Sequence, residues 1–269
     1  MPPISLDQEY IKKLIKISKN AGDAIMDIYE SEFDVNFKSD QSPLTKADIV
    51  SNKIICQSLK KITPDIPILS EESSDIPYEQ RSKWNQYWLI DPLDGTKEFI
   101  KKNGEFTVNI ALIERNRPIF GVIRVPAKSI TYWGGVDIGS YSKKDGESSK
   151  KINVSKRRST GLRVVSSRSH KNNRLDECLS NFDSIQDINI GSSLKFCLLA
   201  EGKADLYPRL GPTSEWDTAA GEAILKYSGG YLLTIDGKKM NYNNSEALLN
   251  PYFIASSDES YIQKFIEYY

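Results

Sequence analysis

The chain opens on a helical rhythm. Ile11, Leu14, Ile15, Ser18, Ala21, Ile25 and Ile28 recur every three or four residues, which places them on one face of a helix. Ser5 with Gln8 reads as a capping box at its start. The rhythm returns over residues 45–62, with Val50, Ile54, Leu59 and Ile62 on one side. Residues 66–69 form a short apolar strand ending at Ser70-Glu71-Glu72, and residues 73–86 read as a polar, solvent-facing connection. From there the period shortens. Residues 88–90 lead into the turn Asp91-Pro92-Leu93-Asp94-Gly95-Thr96. Runs 106–113 and 119–125 flank Arg115-Asn116-Arg117 as a hairpin, and 130–133 make a third strand. Residues 142–158 are rich in Lys and Ser, with one strand-like piece at 151–154.

The second half alternates. Strands are expected at 162–165, 185–190, 204–207, 231–235 and 253–255. Helices are expected at 173–180, from Gly191-Ser192-Ser193 through Ala200, and at 216–227, the last stopped by Gly229-Gly230. Ser257 would cap a final helix. Such alternation predicts a layered α/β unit with parallel strand pairings. A soft boundary near residue 155 divides the chain into an N-terminal α+β half, 1–155, and a C-terminal α/β half, 156–269.

Composition narrows the function. The 36 basic and 36 acidic residues leave no global basic field, so a nucleic-acid polymer is not the expected partner. Cys56, Cys178 and Cys197 form no CxxC pair and no zinc pattern; Cys56 and Cys197 sit in helical apolar patterns as buried thiols. No signal-peptide run and no membrane-spanning run is evident, so the expectation is a cytoplasmic protein. Peripheral contact with the inner membrane, and oligomeric state, are left open by the sequence.

The chemistry starts at the acidic turn. Asp91, Asp94, a free turn carbonyl at Leu93 and the Thr96 hydroxyl make an all-oxygen set, which suits a hard divalent cation such as magnesium. Glu71 and Glu72 also follow a strand, and acids at strand ends can meet at one rim of a sheet. Asp217, three residues after Ser214, fits a capping box equally well. Asp48 fits a helix first turn. Gly191-Ser192-Ser193 is either an ordinary N-cap or an anion site, and Lys195 beside it is either a phosphate partner or a surface lysine. The only histidine, His170, cannot support a His-rich zinc site.

Taken together, Glu71-Glu72, Asp-Pro-Leu-Asp-Gly-Thr at 91–96 and Glu-Trp-Asp-Thr-Ala-Ala at 215–220 resemble the inositol monophosphatase superfamily of magnesium-dependent, lithium-sensitive phosphomonoesterases. Narrower features resemble its bacterial 3′(2′),5′-bisphosphate nucleotidases: the run 42–48, Lys97-Glu98-Phe99, Ser167-Arg168-Ser169-His170, the run 191–197 and the run 211–217. The resemblance covers Ser42 to about Gly230.

This resemblance implies a sandwich of alternating αβαβα layers with the site in a cleft between the two halves. It implies two or three magnesium ions. Glu71, Asp91 and the Leu93 carbonyl would hold one, and Asp91, Asp94 and Asp217 another. Thr96, oriented by Asp48, would align the attacking water, with Glu72 in support. Gly95 and Thr96 would cradle the scissile phosphate, and Ser192, Ser193, Lys195, Arg168 and His170 would face the rest of a nucleotide bisphosphate. The implied reaction converts adenosine 3′,5′-bisphosphate to AMP and phosphate, with the related phosphosulfate as a further substrate. Inositol-phosphate and fructose-bisphosphate hydrolysis are alternatives on the same fold. A haloacid-dehalogenase-like phosphatase is disfavoured, because two residues, not one, separate Asp91 from Asp94. A non-catalytic anion-binding module is the alternative of another class.

Overall fold

The computed structural model describes residues 6–32, 34–37, 43–155, 161–166 and 173–269. Ser5, Ser42, Arg168 and His170 lie outside them. Helix α1 (Gln8–Tyr29) is capped by Asp7, whose side chain accepts from the Tyr10 N–H, rather than by the expected Ser5 box. A two-stranded ribbon, β1 (Val35–Phe37) and β2 (Pro43–Thr45), leads into α2 (Lys46–Ile62). The first sheet holds seven strands in sequence order: β3 (Ile68–Ser70), β4 (Gln86–Asp94), β5 (Thr107–Glu114), β6 (Arg117–Val125), β7 (Ile130–Gly135), β8 (Gly139–Lys144) and β9 (Lys150–Ile152). Short helices α3 (Tyr78–Arg81) and α4 (Thr96–Ile100) flank β4. The β5–β6 hairpin turns on Arg115 and Asn116, both at positive φ, as a two-residue hairpin requires.

The second sheet has the order β11-β10-β12-β14-β13, built from β10 (Leu162–Ser166), β11 (Ile185–Asn189), β12 (Leu206–Arg209), β13 (Tyr231–Thr234) and β14 (Phe253–Ser256). The expected parallel pairings are confined to β11-β10-β12; β12-β14 and β14-β13 run antiparallel. Its helices are α5 (Asn173–Leu179), α6 (Leu194–Ala200), α7 (Glu215–Tyr227) and α8 (Glu259–Glu267). Asp258, not Ser257, caps α8.

Strand alternation builds the layers. On β4, Trp88 and Ile90 join the core beneath α1 and α2, while Tyr87 and Leu89 join the core around α6 and α7. That second core also takes Val165, Tyr207, Leu232, Phe253 and Ala255 from the five-stranded sheet. The far face of this sheet buries Val164, Leu206 and Ile254 against Cys178, Ile262 and Phe265 of α5 and α8. The order is therefore α1/α2, sheet, α6/α7, sheet, α5/α8: the αβαβα sandwich. Each fully buried aliphatic or aromatic side chain contributes about 1.5–3 kcal/mol.

Three expectations need correction. The buried face of α2 is centred on Ala47, Asp48, Ser51, Ile55 and Leu59, with the expected Ile54 and Ile62 packed partly buried at its edge, because polar Asp48 and Ser51 turn inward to bond neighbouring segments. Residues 73–86 are not wholly solvent-facing: Arg81 is only 2% exposed and its guanidinium donates to Asn243 Oδ1 and the Glu246 carbonyl. Cys56 is half-buried, and all three thiols are free. Among the described residues no helix is long and apolar enough to cross a membrane.

Candidate metal centre

β4 is buried from Tyr87 through Leu93, and its apolar pull carries Asp91 inside and leaves Asp94 half-buried at its end. In a regular strand, residues three apart point to opposite faces. Between Asp91 and Asp94 the β4–β5 register shifts, and this bulge lets both carboxylates turn to one side. Asp217 arrives from the other half, in the first turn of α7. Oxygens of Asp91, Asp94 and Asp217 lie within 4.8 Å of one another.

Each acid gives one oxygen to a backbone N–H. Asp91 Oδ1 accepts from Leu93 at 3.0 Å, Asp94 Oδ2 from Ser193, and Asp217 Oδ2 from Ser214 at 2.8 Å. Asp217 thus closes a helix cap and joins the acids, so the two readings of that residue are compatible. Burial pushes all three carboxyls up. Asp91 is raised well above the ordinary range, with the charges of Glu71, Asp94 and Asp217 adding to the effect. Asp94 is pushed up to about 6 by burial, against the pull of Lys195 and the Ser193 N–H. Asp217 is pushed up to about 8, by burial and then by the Asp94 charge. An oxygen-only set of crowded carboxylates that resist ionising is what a hard divalent cation relieves, so the donors fit magnesium.

The other candidates surround this cluster. Glu71 is not one of the three converging acids, but its charge raises Asp48, Asp91, Asp94 and Asp217. Its N–H donates to the Ile90 carbonyl, fixing it beside β4. Glu72 follows, half-buried and outside the trio. Asp48 repeats the one-oxygen arrangement: Oδ2 accepts from the N–H and hydroxyl of Thr45, and Oδ1 lies 3.3 Å from Thr96 Oγ1. The same Thr96 hydroxyl is 3.3 Å from the Leu93 carbonyl. Gly95 sits at φ +90°, and a Cβ there would lie 3.0 Å from the Glu105 carbonyl and 3.3 Å from Ser192. Only glycine fits that corner.

A cavity of about 180 Å³ opens beside the cluster. Asp94, Gly95, Ser192, Ser193, Lys195 and Asp217 line it; Glu71, Leu93 and Thr96 do not. Ser193 keeps little for a ligand, since its hydroxyl bridges Thr107 and Asn109 and its N–H goes to Asp94. Lys195 is no surface lysine. It is 5% exposed, its Nζ donates to the Ser192 carbonyl and lies 5.4 Å from the Tyr207 ring centre, and burial brings it down to about 8. Sequence reasoning missed Arg209, Lys97 and Tyr207 in this lining. Arg209 donates through one terminal nitrogen to the Pro212 carbonyl, while its buried Nε has no hydrogen-bond partner. Its place just before Gly211-Pro212-Thr213 was the available signal.

The sequence matches the inositol monophosphatase family over residues 6–268. The chain belongs to that family. It is 47% identical over 245 residues to the 3′(2′),5′-bisphosphate nucleotidase CysQ of Salmonella typhimurium, covering 90% of this chain and 98% of that protein. The crystal structure of CysQ from Bacteroides thetaiotaomicron, a bacterial member of the family, superposes with a TM-score of 0.82 at 38% identity, over 93% of this chain and 98% of that one. An inositol monophosphatase of Thermotoga maritima, 22% identical, shares the fold at a TM-score of 0.79 over 97% of this chain and 98% of that one.

Proposed function

We propose that this chain is a magnesium-dependent phosphomonoesterase that converts adenosine 3′,5′-bisphosphate and water to AMP and phosphate. One observation carries the reading. A single cavity joins the acid cluster to the buried Lys195 and the half-buried Arg209, whose guanidinium Nε is itself buried without a hydrogen-bond partner. Acids that need a dication beside cations that need an anion suit a substrate with two phosphates. The name of the Salmonella relative points the same way.

Asp91, Asp94 and Asp217, with Glu71 and the Leu93 carbonyl, would hold two or three magnesium ions, which supply charge for the phosphoryl oxygens and lower the pKa of water. Thr96 gives its hydroxyl hydrogen to Asp48 or the Leu93 carbonyl, leaving lone pairs to accept from the attacking water. Glu72 supports Glu71. Gly95 and Thr96 present backbone N–H groups to the scissile phosphate. Lys195, Arg209 and Ser192 hold the second phosphate; Arg168 and His170, which lie outside the described residues, are assigned to the substrate by the sequence resemblance alone. Residues 1–155 supply most of the acids; 156–269 supply Asp217 and the specificity groups.

The test is one kinetic comparison of adenosine 3′,5′-bisphosphate, inositol 1-phosphate and fructose 1,6-bisphosphate, with and without magnesium. A charge-assisted contact is worth about 1.5–3 kcal/mol, so kcat/KM should favour the nucleotide by about tenfold or more. A preference for either of the other substrates reassigns the enzyme within its family. No magnesium-dependent phosphate release from any of them removes the catalytic reading.

A further inference from the structure

We propose that Ser51 and Asn52, on the inward face of α2, are positioning residues that hold the two acid-bearing strand ends in register for the cation. The inference rests on the reading that the acid cluster binds magnesium. Neither residue lines the cavity. Ser51 is completely buried, and its hydroxyl donates to the Pro92 carbonyl at 2.7 Å. Pro92 sits inside the bulge, between Asp91 and Asp94, where the β4–β5 ladder loses register. Pro92 has no partner in the β4–β5 register, and the Ser51 hydroxyl ties its carbonyl to α2 instead.

Asn52 addresses the neighbouring strand end. Its Oδ1 accepts from the Ser70 hydroxyl at 2.8 Å, and Cys56 Sγ lies 3.2 Å from the same atom. Ser70 immediately precedes Glu71 and pairs with Ile90 in the parallel β3–β4 ladder. Asp48, one turn earlier on α2, reaches Thr96. Positions 48, 51 and 52 stand i, i+3 and i+4 and share one helix face. A single rigid face therefore meets three loops, ahead of Glu71, between Asp91 and Asp94, and at Thr96. An apolar helix face would pack as well but would leave each loop free to rotate its carboxylate. The polar face fixes their relative placement. Groups that orient metal ligands without touching the metal typically govern affinity ten- to a hundredfold.

The test uses the full chain and magnesium chloride alone as the probe. Magnesium is titrated against the melting temperature, and separately against turnover, for the parent, Ser51→Ala, Ser70→Ala and Ser18→Ala. Ser18 is an equally buried helical serine, but its hydroxyl bonds only locally to the Ile15 carbonyl. We expect Ser51→Ala and Ser70→Ala each to raise the magnesium midpoint about tenfold, with turnover at saturating magnesium largely retained and Ser18→Ala unchanged. Two folded variants with the parent midpoint overturn the proposal, as does an equal shift in Ser18→Ala. If one variant fails to fold, the other decides. A parent whose melting temperature ignores magnesium removes the cluster reading itself, which is a distinguishable failure.

Discussion

The acid cluster makes a thermodynamic prediction that needs no substrate. Without a cation, the folded chain holds protons on Asp217 and Asp94 that the unfolded chain has already lost. A carboxyl raised by folding contributes stability that is fully present below its unfolded pKa and is lost as the pH climbs through its folded one. For Asp94 that window closes near 6, and for Asp217 near 8. Between pH 6 and 8 the loss of the Asp217 proton costs the metal-free protein up to about 1.4 kcal/mol per pH unit, a slope that halves as the pH reaches the folded pKa of about 8, for about 2 kcal/mol in all. At ~2–4 °C per kcal/mol for a chain of this size, the metal-free melting temperature should fall by about 4–8 °C across that window. Magnesium displaces those protons, so at saturating metal this part of the fall should vanish.

The assay is thermal unfolding at pH 6, 7 and 8, with EDTA or with magnesium in excess. Glu215 and Glu222, each pushed up to about 7 by burial, also erode stability as pH rises through 7, but with or without metal. The difference between the two curves therefore isolates the cluster. Asp217→Asn sharpens the test. Its amide oxygen still accepts from the Ser214 N–H, so the cap of α7 survives, while the titrating group is gone. The variant should show a flatter metal-free curve, a smaller magnesium shift, and turnover reduced by orders of magnitude. Parallel curves with and without magnesium, or an undiminished slope in Asp217→Asn, would refute the argument that these carboxylates share a cation.

Two further outcomes follow from the packing and the cavity. Gly121→Ala should cost about 3 kcal/mol, read by urea or thermal unfolding, because its Cβ would sit 2.8 Å from the Ala220 Cα, backbone that cannot yield; since α7 carries Asp217, the magnesium midpoint should rise as well. Arg209→Met should lower kcat/KM for adenosine 3′,5′-bisphosphate by about ten- to a hundredfold while barely changing hydrolysis of adenosine 3′-monophosphate, because on the proposed reading the contact removed by changing this cavity-lining residue is the one to the second phosphate.

What could be read from the chain was what local chemistry announces. Ser214 with Asp217 is a helix start and stands where the pattern put it; the apolar run before Asp-Pro-Leu-Asp-Gly-Thr is a strand as expected, but it runs on through Asp94 as a bulge where a turn was expected, because the pairing with β5 resumes at Asp94. Polar residues buried by distant partners were invisible. Arg81 lies in a stretch whose composition reads as solvent-facing, yet it bonds Asn243, 162 residues away. Ser51 and Asp48 broke the apolar rhythm of α2, so counting hydrophobic positions found Leu59 and the flanking Ile54 and Ile62 but shifted the centre of the buried face. Arg209 sits at a strand end with no motif of its own, and only the folded chain brings it to Lys195 and Asp94.

The division of labour within each acid bears on why the protein's own charges do not do the work of the proposed cation. Asp91, Asp94 and Asp217 each commit one oxygen to a backbone N–H, which fixes the carboxylate plane and leaves the other oxygen for the centre. Lys195 is the nearby cation whose charge draws Asp94 down. Its Nζ is already tied to the Ser192 carbonyl and set over Tyr207, on the cavity side, and burial weakens its own hold on a proton. It interacts with Asp94 first and also with Glu98 and Asp217, from the cavity side. On the proposed reading, a centre that ionises fully only when a dication arrives would also keep Lys195 and Arg209 from collapsing onto the acids. Those two cations would then stay available for an anion, and metal loading and recognition of a second phosphate would be two consequences of one arrangement of charge.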